Sequence, residues 1–217
     1  MTENFEQPKS PSESPELDLE KKKFTKRVAE LFEVGLESND IYAYHGTTAE
    51  AIKYLATHGR LPSSGSYGAE VFYVPEGIGS SEGDQQHAEH YASWNALKYF
   101  ILERIPFRPS NMEKLMYMFD DEDLENEFLE EAAKHGVNKR QLHNLIREAE
   151  RTRKGVLVTL SRKMVADFEE RAGVDVDQRS VITPQGLPIE YITGIEPLGQ
   201  YEWDELEKLQ KEADKKS

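Results

Sequence analysis

The residues with chemistry to offer are His45, Gly46 and Thr47 in one run, Tyr73, Tyr91, and Glu190 far downstream. An imidazole beside a glycine sets a hydrogen-bonding ring next to a main chain without Cβ, where a flat ligand can approach closely. Tyr73 and Tyr91 have aromatic faces, and Glu190 has a carboxylate. Each also has a plain structural explanation. A strand-end histidine is more often a hydrogen-bonded structural group, tyrosines on strands and helix faces usually pack, and a glutamate beside a proline turn is usually just exposed. Other chemistries fit worse. His87 and His90 do not have His-Glu-x-x-His spacing, and residues 76–84 have neither a Lys-Ser/Thr ending nor GxGxxG spacing. The acids of 120–131 lack the alternating Asp/Asn-and-glycine pattern of a calcium loop. The chain has no cysteine, which removes disulfides, thiolate nucleophiles and thiolate metal sites.

The elements that must position these residues can be read from periodicity and turn chemistry. Residues 1–16, rich in proline and serine, read as a disordered tail. An N-terminal helix is expected within 17–40, where Phe24, Val28, Leu31 and Phe32 recur at helical spacing. A strand over 41–45 leads to a helix from about 48 to 58, with Thr47 and Glu50 as a capping box and Gly59 as its C-terminal stop. A strand is expected at 71–74, and a helix over about 85–102 with an apolar stripe at Ala88, Tyr91, Ala92, Ala96 and Tyr99. Residues 103–153 read as an acidic helical insertion with a helix start at Asn138 and Gln141. Residues 155–160 are apolar on both faces and so predict a central strand. Strands are expected at 180–183 and 189–195, joined by a proline- and glycine-rich turn at 184–188, and a charged helix closes the chain over 201–217.

The chain of 217 residues carries a formal charge of -14. An acidic surface repels phosphate backbones, so bulk nucleic-acid binding is not expected. Met1–Pro15 has no apolar segment of a secretory signal, and no run approaches the ~18 apolar residues of a membrane span. A cytoplasmic protein without a membrane partner is expected.

Taken in order, the site residues resemble the ADP-ribosyltransferase superfamily, on its poly(ADP-ribose) polymerase and diphtheria-toxin side, which uses a His-Tyr-Glu set. The family's strand ending in His-Gly-Ser/Thr is similar to His45-Gly46-Thr47. Its Gly-Ile-Tyr-Phe-Ala strand is similar to Glu70-Val71-Phe72-Tyr73-Val74, its second tyrosine to Tyr91 in Ala88-Glu89-His90-Tyr91, and its Glu-Tyr-Ile-Val strand start to Glu190-Tyr191-Ile192-Thr193. The resemblance covers residues 41–102 and 155–198. It implies an α+β fold in which a split, mostly antiparallel sheet forms an ADP-ribosyltransferase-like domain over 41–200, with the cleft between the His45 and Tyr73 strands and with the helical insertion and flanking helices outside it.

The activity implied is NAD-dependent ADP-ribosyl transfer, with NAD as co-substrate, nicotinamide released, and an unidentified protein or small-molecule acceptor. The resemblance implies His45, Tyr73 and Glu190 as catalytic residues, and His45, Gly46, Thr47, Tyr73 and Tyr91 as the NAD-binding set. The family's serine three residues before the second tyrosine is Ala88 here, which removes one hydrogen bond to the carboxamide. Two alternatives stand beside this reading. The RNA 2′-phosphotransferase branch of the superfamily also begins with His-Gly-Thr, but it needs arginines and a further histidine where Tyr73 and Tyr91 stand. An inactive relative would bind a nucleotide or a protein without turnover.

Overall fold

The computed structural model describes residues 15–62, 70–72, 74–75, 81–106, 122–164, 167, 180–182 and 186–215, with side chains for all but 15–16, 70–75, 81–84 and 180–182. In chain order the elements are α1 (Pro15–Val34), β1 (Ala43–Thr47), α2 (Ala49–His58), β2 (Arg60–Leu61), β3 (Glu70–Phe72), β4 (Val74–Pro75) and α3 (Ser81–Leu102). They continue as α4 (Glu122–Lys134), α5 (Lys139–Thr152), β5 (Val156–Leu160), β6 (Ser180–Ile182), β7 (Leu187–Pro188), a 3-10 turn (Ile189–Tyr191), β8 (Ile192–Pro197) and α6 (Gln200–Lys215). The tail expected for 1–16 lies almost wholly outside the described residues, although Pro15 already opens α1.

The architecture is α+β with small antiparallel sheets. One sheet runs β4-β1-β5-β8, and two strand pairs, β2-β7 and β3-β6, stand beside it. Every described pairing is antiparallel. β5 is buried along its whole length between β1 and β8, as its double-faced apolar run predicts. Val156, Val158 and Leu160 pack with Val28, Leu31, Ile52, Leu55, Ile195 and Leu206, a core shared with α1, α2 and α6. Leu157 points to the opposite face, where it meets Tyr44 and Ala88 of α3. The sheet is thus a layer between α1/α2/α6 and α3. A second apolar core lies beyond the sheet, where Phe100 and Ile101 of α3 pack with Phe128, Ala132, Leu142 and Ile146 of the insertion.

Local sequence explains several element ends. α2 stops at Gly59, which sits at φ 70 with its N–H on the Leu55 carbonyl and has the Phe24 ring 2.4 Å from where a Cβ would lie. α5 begins at a reciprocal capping box, Asn138 Oδ1 accepting from Gln141 N and Gln141 Oε1 accepting from Asn138 N. Other expectations are corrected. β1 runs from Ala43 through Thr47, so His45 lies inside the strand. The cap of α2 is Thr48, whose Oγ1 accepts from Ala51 N, because Thr47 is committed to the ladder opposite Val156. The expected turn 184–188 contributes a strand, since Leu187–Pro188 pair with Arg60–Leu61. α3 starts earlier than its stripe predicts, at Ser81.

α6 is held by polar contacts as well as by Leu206. Lys53 pairs with Glu205, the Tyr201 hydroxyl donates to Glu50 Oε1 at 3.1 Å, and the Arg153 guanidinium lies 3.1 Å from the Tyr201 ring centroid. Burial, and then the Glu50 carboxylate, push the Tyr201 phenol from 10.0 up to about 12, with Arg153 opposing. The folded chain therefore holds that proton more tightly than the unfolded chain. Its stabilising effect is intact below pH 10 and is lost as pH rises toward 12. Tyr201→Phe should flatten the fall in stability over that window, as measured by urea unfolding at a series of alkaline pH values.

Gly155 gives a sharper test of packing. It has φ +80, and a Cβ there would lie 2.3 Å from the Ala92 carbonyl oxygen and 2.7 Å from that of Thr47. Gly136 has φ +75 and nothing within 4 Å of such a Cβ. Gly136→Ala should cost only the backbone strain, about 1–2 kcal/mol. Gly155→Ala should add an overpacking cost of about 1–3 kcal/mol. At about 2–4 °C per kcal/mol, circular-dichroism melts should separate the two variants.

Candidate functional site

His45 is half-buried in the middle of β1, paired with Val158 of β5 and pleated toward the same face. Gly46 faces the other way, onto α3. A Cβ on Gly46 would lie 2.0 Å from the Ala88 carbonyl oxygen and 2.5 Å from the Ala92 nitrogen. Helix and strand therefore touch backbone to backbone, and only glycine fits. β4 pairs with Ala43 and Tyr44 alone, so from His45 onward β1 has no strand partner on that side among the described residues. The Gly46 carbonyl accepts from Asn95 Nδ2 of α3 at 3.3 Å.

Tyr91 stands beside this contact on α3. It is 47% exposed, with the His90 ring 6.4 Å away in an edge arrangement. Thr47 is buried at the end of β1. Tyr73 lies outside the described residues. Glu190 does not open a strand. It is an exposed residue of the 3-10 turn between β7 and β8. That turn is anchored by its neighbour Tyr191, 3% exposed, whose hydroxyl donates to Asp167 Oδ2 at 2.8 Å.

The structure brings Tyr91 beside Gly46 through the seating of α3 on β1, whereas the His45 side chain pleats to the opposite face of the sheet, with Val158. It does not set Glu190 against His45. β8 is two strands from β1, roughly 10 Å across the sheet, and Ile192 is level with Leu160 and Ala43, so Glu190 lies toward the end where β1 begins. His45 is the first residue of β1 past its pairing with β4, and it stays paired with Val158 inside the same sheet. The chain passes from the β6 partner to the β1 partner between Phe72 and Val74. It passes from the β2 partner to the β5 partner across the turn that carries Glu190, so Glu190 lies where one small sheet gives way to the next. Another carboxylate of this region, Glu196, sits within β8 opposite Leu157 and beside Gly35, with burial raising its carboxyl above the usual range.

Asn95 is the site residue that sequence reading missed. With Ala88 and Ala92 it forms an i, i+4, i+7 series on the face of α3 against β1, so a polar residue in a row of alanines was the available signal. A separate polar group lies between α3 and α6. Glu202 is 1% exposed, its Oε1 accepts from Lys154 N at 3.1 Å, and its Oε2 has no partner among the described residues. It lies in the first turn of α6. No group of three or more metal-ligating side chains is present among the described residues, and none of their helices is long and apolar enough to cross a membrane.

The anchoring of the Glu190 turn can be measured directly. Tyr191→Phe removes one partly buried hydrogen bond and should cost about 1 kcal/mol in denaturant unfolding, with the slope of the transition unchanged.

Comparison of the chain with protein-family models, with curated proteins and with solved structures gives no match.

Proposed function

We propose that this protein cleaves NAD at the nicotinamide–ribose bond and transfers ADP-ribose to an acceptor. The observation that carries the reading is the edge of β1 from His45 onward, which has no strand partner among the described residues, with Tyr91 of α3 exposed beside Gly46. Such an edge is open to an extended ligand. The separation of His45 from Glu190 suits a dinucleotide that spans both, rather than a single ring held between them.

In this reading the open edge of β1 at Gly46 hydrogen-bonds the carboxamide, and the ring lies against the faces of Tyr91 and Tyr73. His45 bonds a ribose hydroxyl of the adenosine half. Glu190 bonds the hydroxyl of the nicotinamide ribose. As the C1′–N bond breaks, its electron pair goes to the pyridinium nitrogen and neutral nicotinamide leaves. The sugar becomes oxocarbenium-like, and the Glu190 carboxylate stabilises that charge. The acceptor nucleophile then bonds C1′ and gives up its proton. Asn95 takes a new role here. Ala88, which stands where the family has a serine, is 1% exposed and seated on Gly46, whereas Asn95 puts an amide at the Gly46 carbonyl from the same helix.

A second reading, a nucleotide-binding module without turnover, is favoured by that same Asn95 bond, because it engages the Gly46 carbonyl that a carboxamide amide would otherwise meet. Nicotinamide release from NAD by the purified protein separates the two. Wild type should release nicotinamide, and Glu190→Gln should be slower by about a hundredfold or more. Binding of nicotinamide without any release, with protein extract supplied as an acceptor source, would favour the module.

A further inference from the structure

α5 has two opposed faces. Leu142, Ile146 and Ala149 are buried in the second core. Directly opposite stand Arg140, Asn144, Arg147 and Arg151, all exposed. At 100° per residue these fall within an arc of roughly 60° and run roughly 16 Å along the helix. None of the three arginines has an ion pair, a hydrogen bond or a ring contact among the described residues, unlike Lys139, which pairs with Glu125. Glu148 and Glu150 flank the stripe, and no ion pair joins either of them to it among the described residues. In a chain of net charge -14, a row of exposed guanidinium groups on one helix face is a local reversal of sign.

We propose that the outer face of α5 binds the phosphodiester backbone of a single-stranded nucleic acid. Guanidinium forks match phosphate oxygens bidentately. A densely charged strand also gains from the counterions it releases, which a scattered set of carboxylates on an acidic peptide does not. Asn144 adds an uncharged donor within the row. The narrowness of the stripe selects a single strand over a duplex. α4 beside it exposes Glu122, Asp123 and Glu130, and a duplex broad enough to reach past α5 would meet those acids. The acidity of the whole chain still excludes coating by nucleic acid and confines binding to a locally basic face such as this one. The proposal does not depend on NAD chemistry, because it is read by binding alone.

The test is fluorescence anisotropy with a labelled mixed-sequence single-stranded oligonucleotide of about 15 nucleotides, as RNA and as DNA. Three phosphate contacts predict a log–log salt slope of about -2, or about 20-fold weaker binding between roughly 50 and 200 mM salt. Arg147→Gln should reduce the slope by about 0.7. The triple variant Arg140→Glu, Arg147→Glu, Arg151→Glu should abolish binding while its circular-dichroism melt stays near that of wild type, since all three side chains are exposed. Absence of wild-type binding at low salt would overturn the proposal, as would binding that the triple variant retains. Displacement of the oligonucleotide by poly-glutamate at equal charge concentration would assign the face to an acidic polypeptide instead.

Discussion

The rest of the structure depends on the direct seating of α3 on the sheet. Gly46 of β1 and Gly155 at the start of β5 both present bare backbone to the Ala88–Ala92 turn of α3, at distances that leave no room for a side chain. Apolar side chains normally set the spacing of a helix on a sheet and let it adjust by small repacking. Here the spacing is set by main-chain contact, which cannot repack. That fixes where Tyr91 stands relative to β1 and brings Asn95 within reach of the Gly46 carbonyl. It also fixes the far half of α3, whose Phe100 and Ile101 form one wall of the second core.

Short strands are the second constraint, and proline explains part of their shortness. Pro75 ends β4, which lies at the sheet edge, and Pro188 ends β7. A residue without an N–H can sit at an edge or a strand end but cannot extend a ladder. The chain therefore leaves one partner after two or three residues and takes another. Each change of partner leaves backbone groups available at the boundary. Glu190 lies at such a boundary, His45 lies where β1 runs past β4, and β5, buried along its whole length, carries no candidate residue.

Local signals were legible where a residue's own chemistry decides the outcome. Gly59 ends α2, Asn138 and Gln141 cap α5, and the apolar run after Gly155 is the central strand. What was not legible depends on partners distant in sequence. Thr47 and Thr48 are equally good caps, and only the pairing of Thr47 with Val156 chooses between them. Ile189, Tyr191 and Ile192 have strand propensity, yet residues 189–191 form a 3-10 turn because Leu187–Pro188 is tied to β2 while Ile192 is tied to β5. Asn95 looks like a surface residue on a helix until α3 is laid on Gly46. The order of His45, Gly46, Tyr91 and Glu190 along the chain was legible, whereas the sheet face that each takes and the distance of Glu190 from His45 were not, because strand order and helix seating are tertiary properties.

The first core and the core of the insertion have no residue in common, and α3 lines only the second of them. Residues of the insertion that face α3 hold its fold together, and those that face outward contribute to neither core. Leu142, Ile146 and Ala149 account for the attachment of α5, so nothing in folding demands arginine at 140, 147 or 151. Helix propensity is as well served there by glutamate, lysine or glutamine, and glutamates one turn away would normally be matched to arginines as ion pairs. The composition of that face is therefore free of the constraints that fix the rest of α5. A row of one sign in an otherwise acidic chain is better explained by what the face meets than by what it supports.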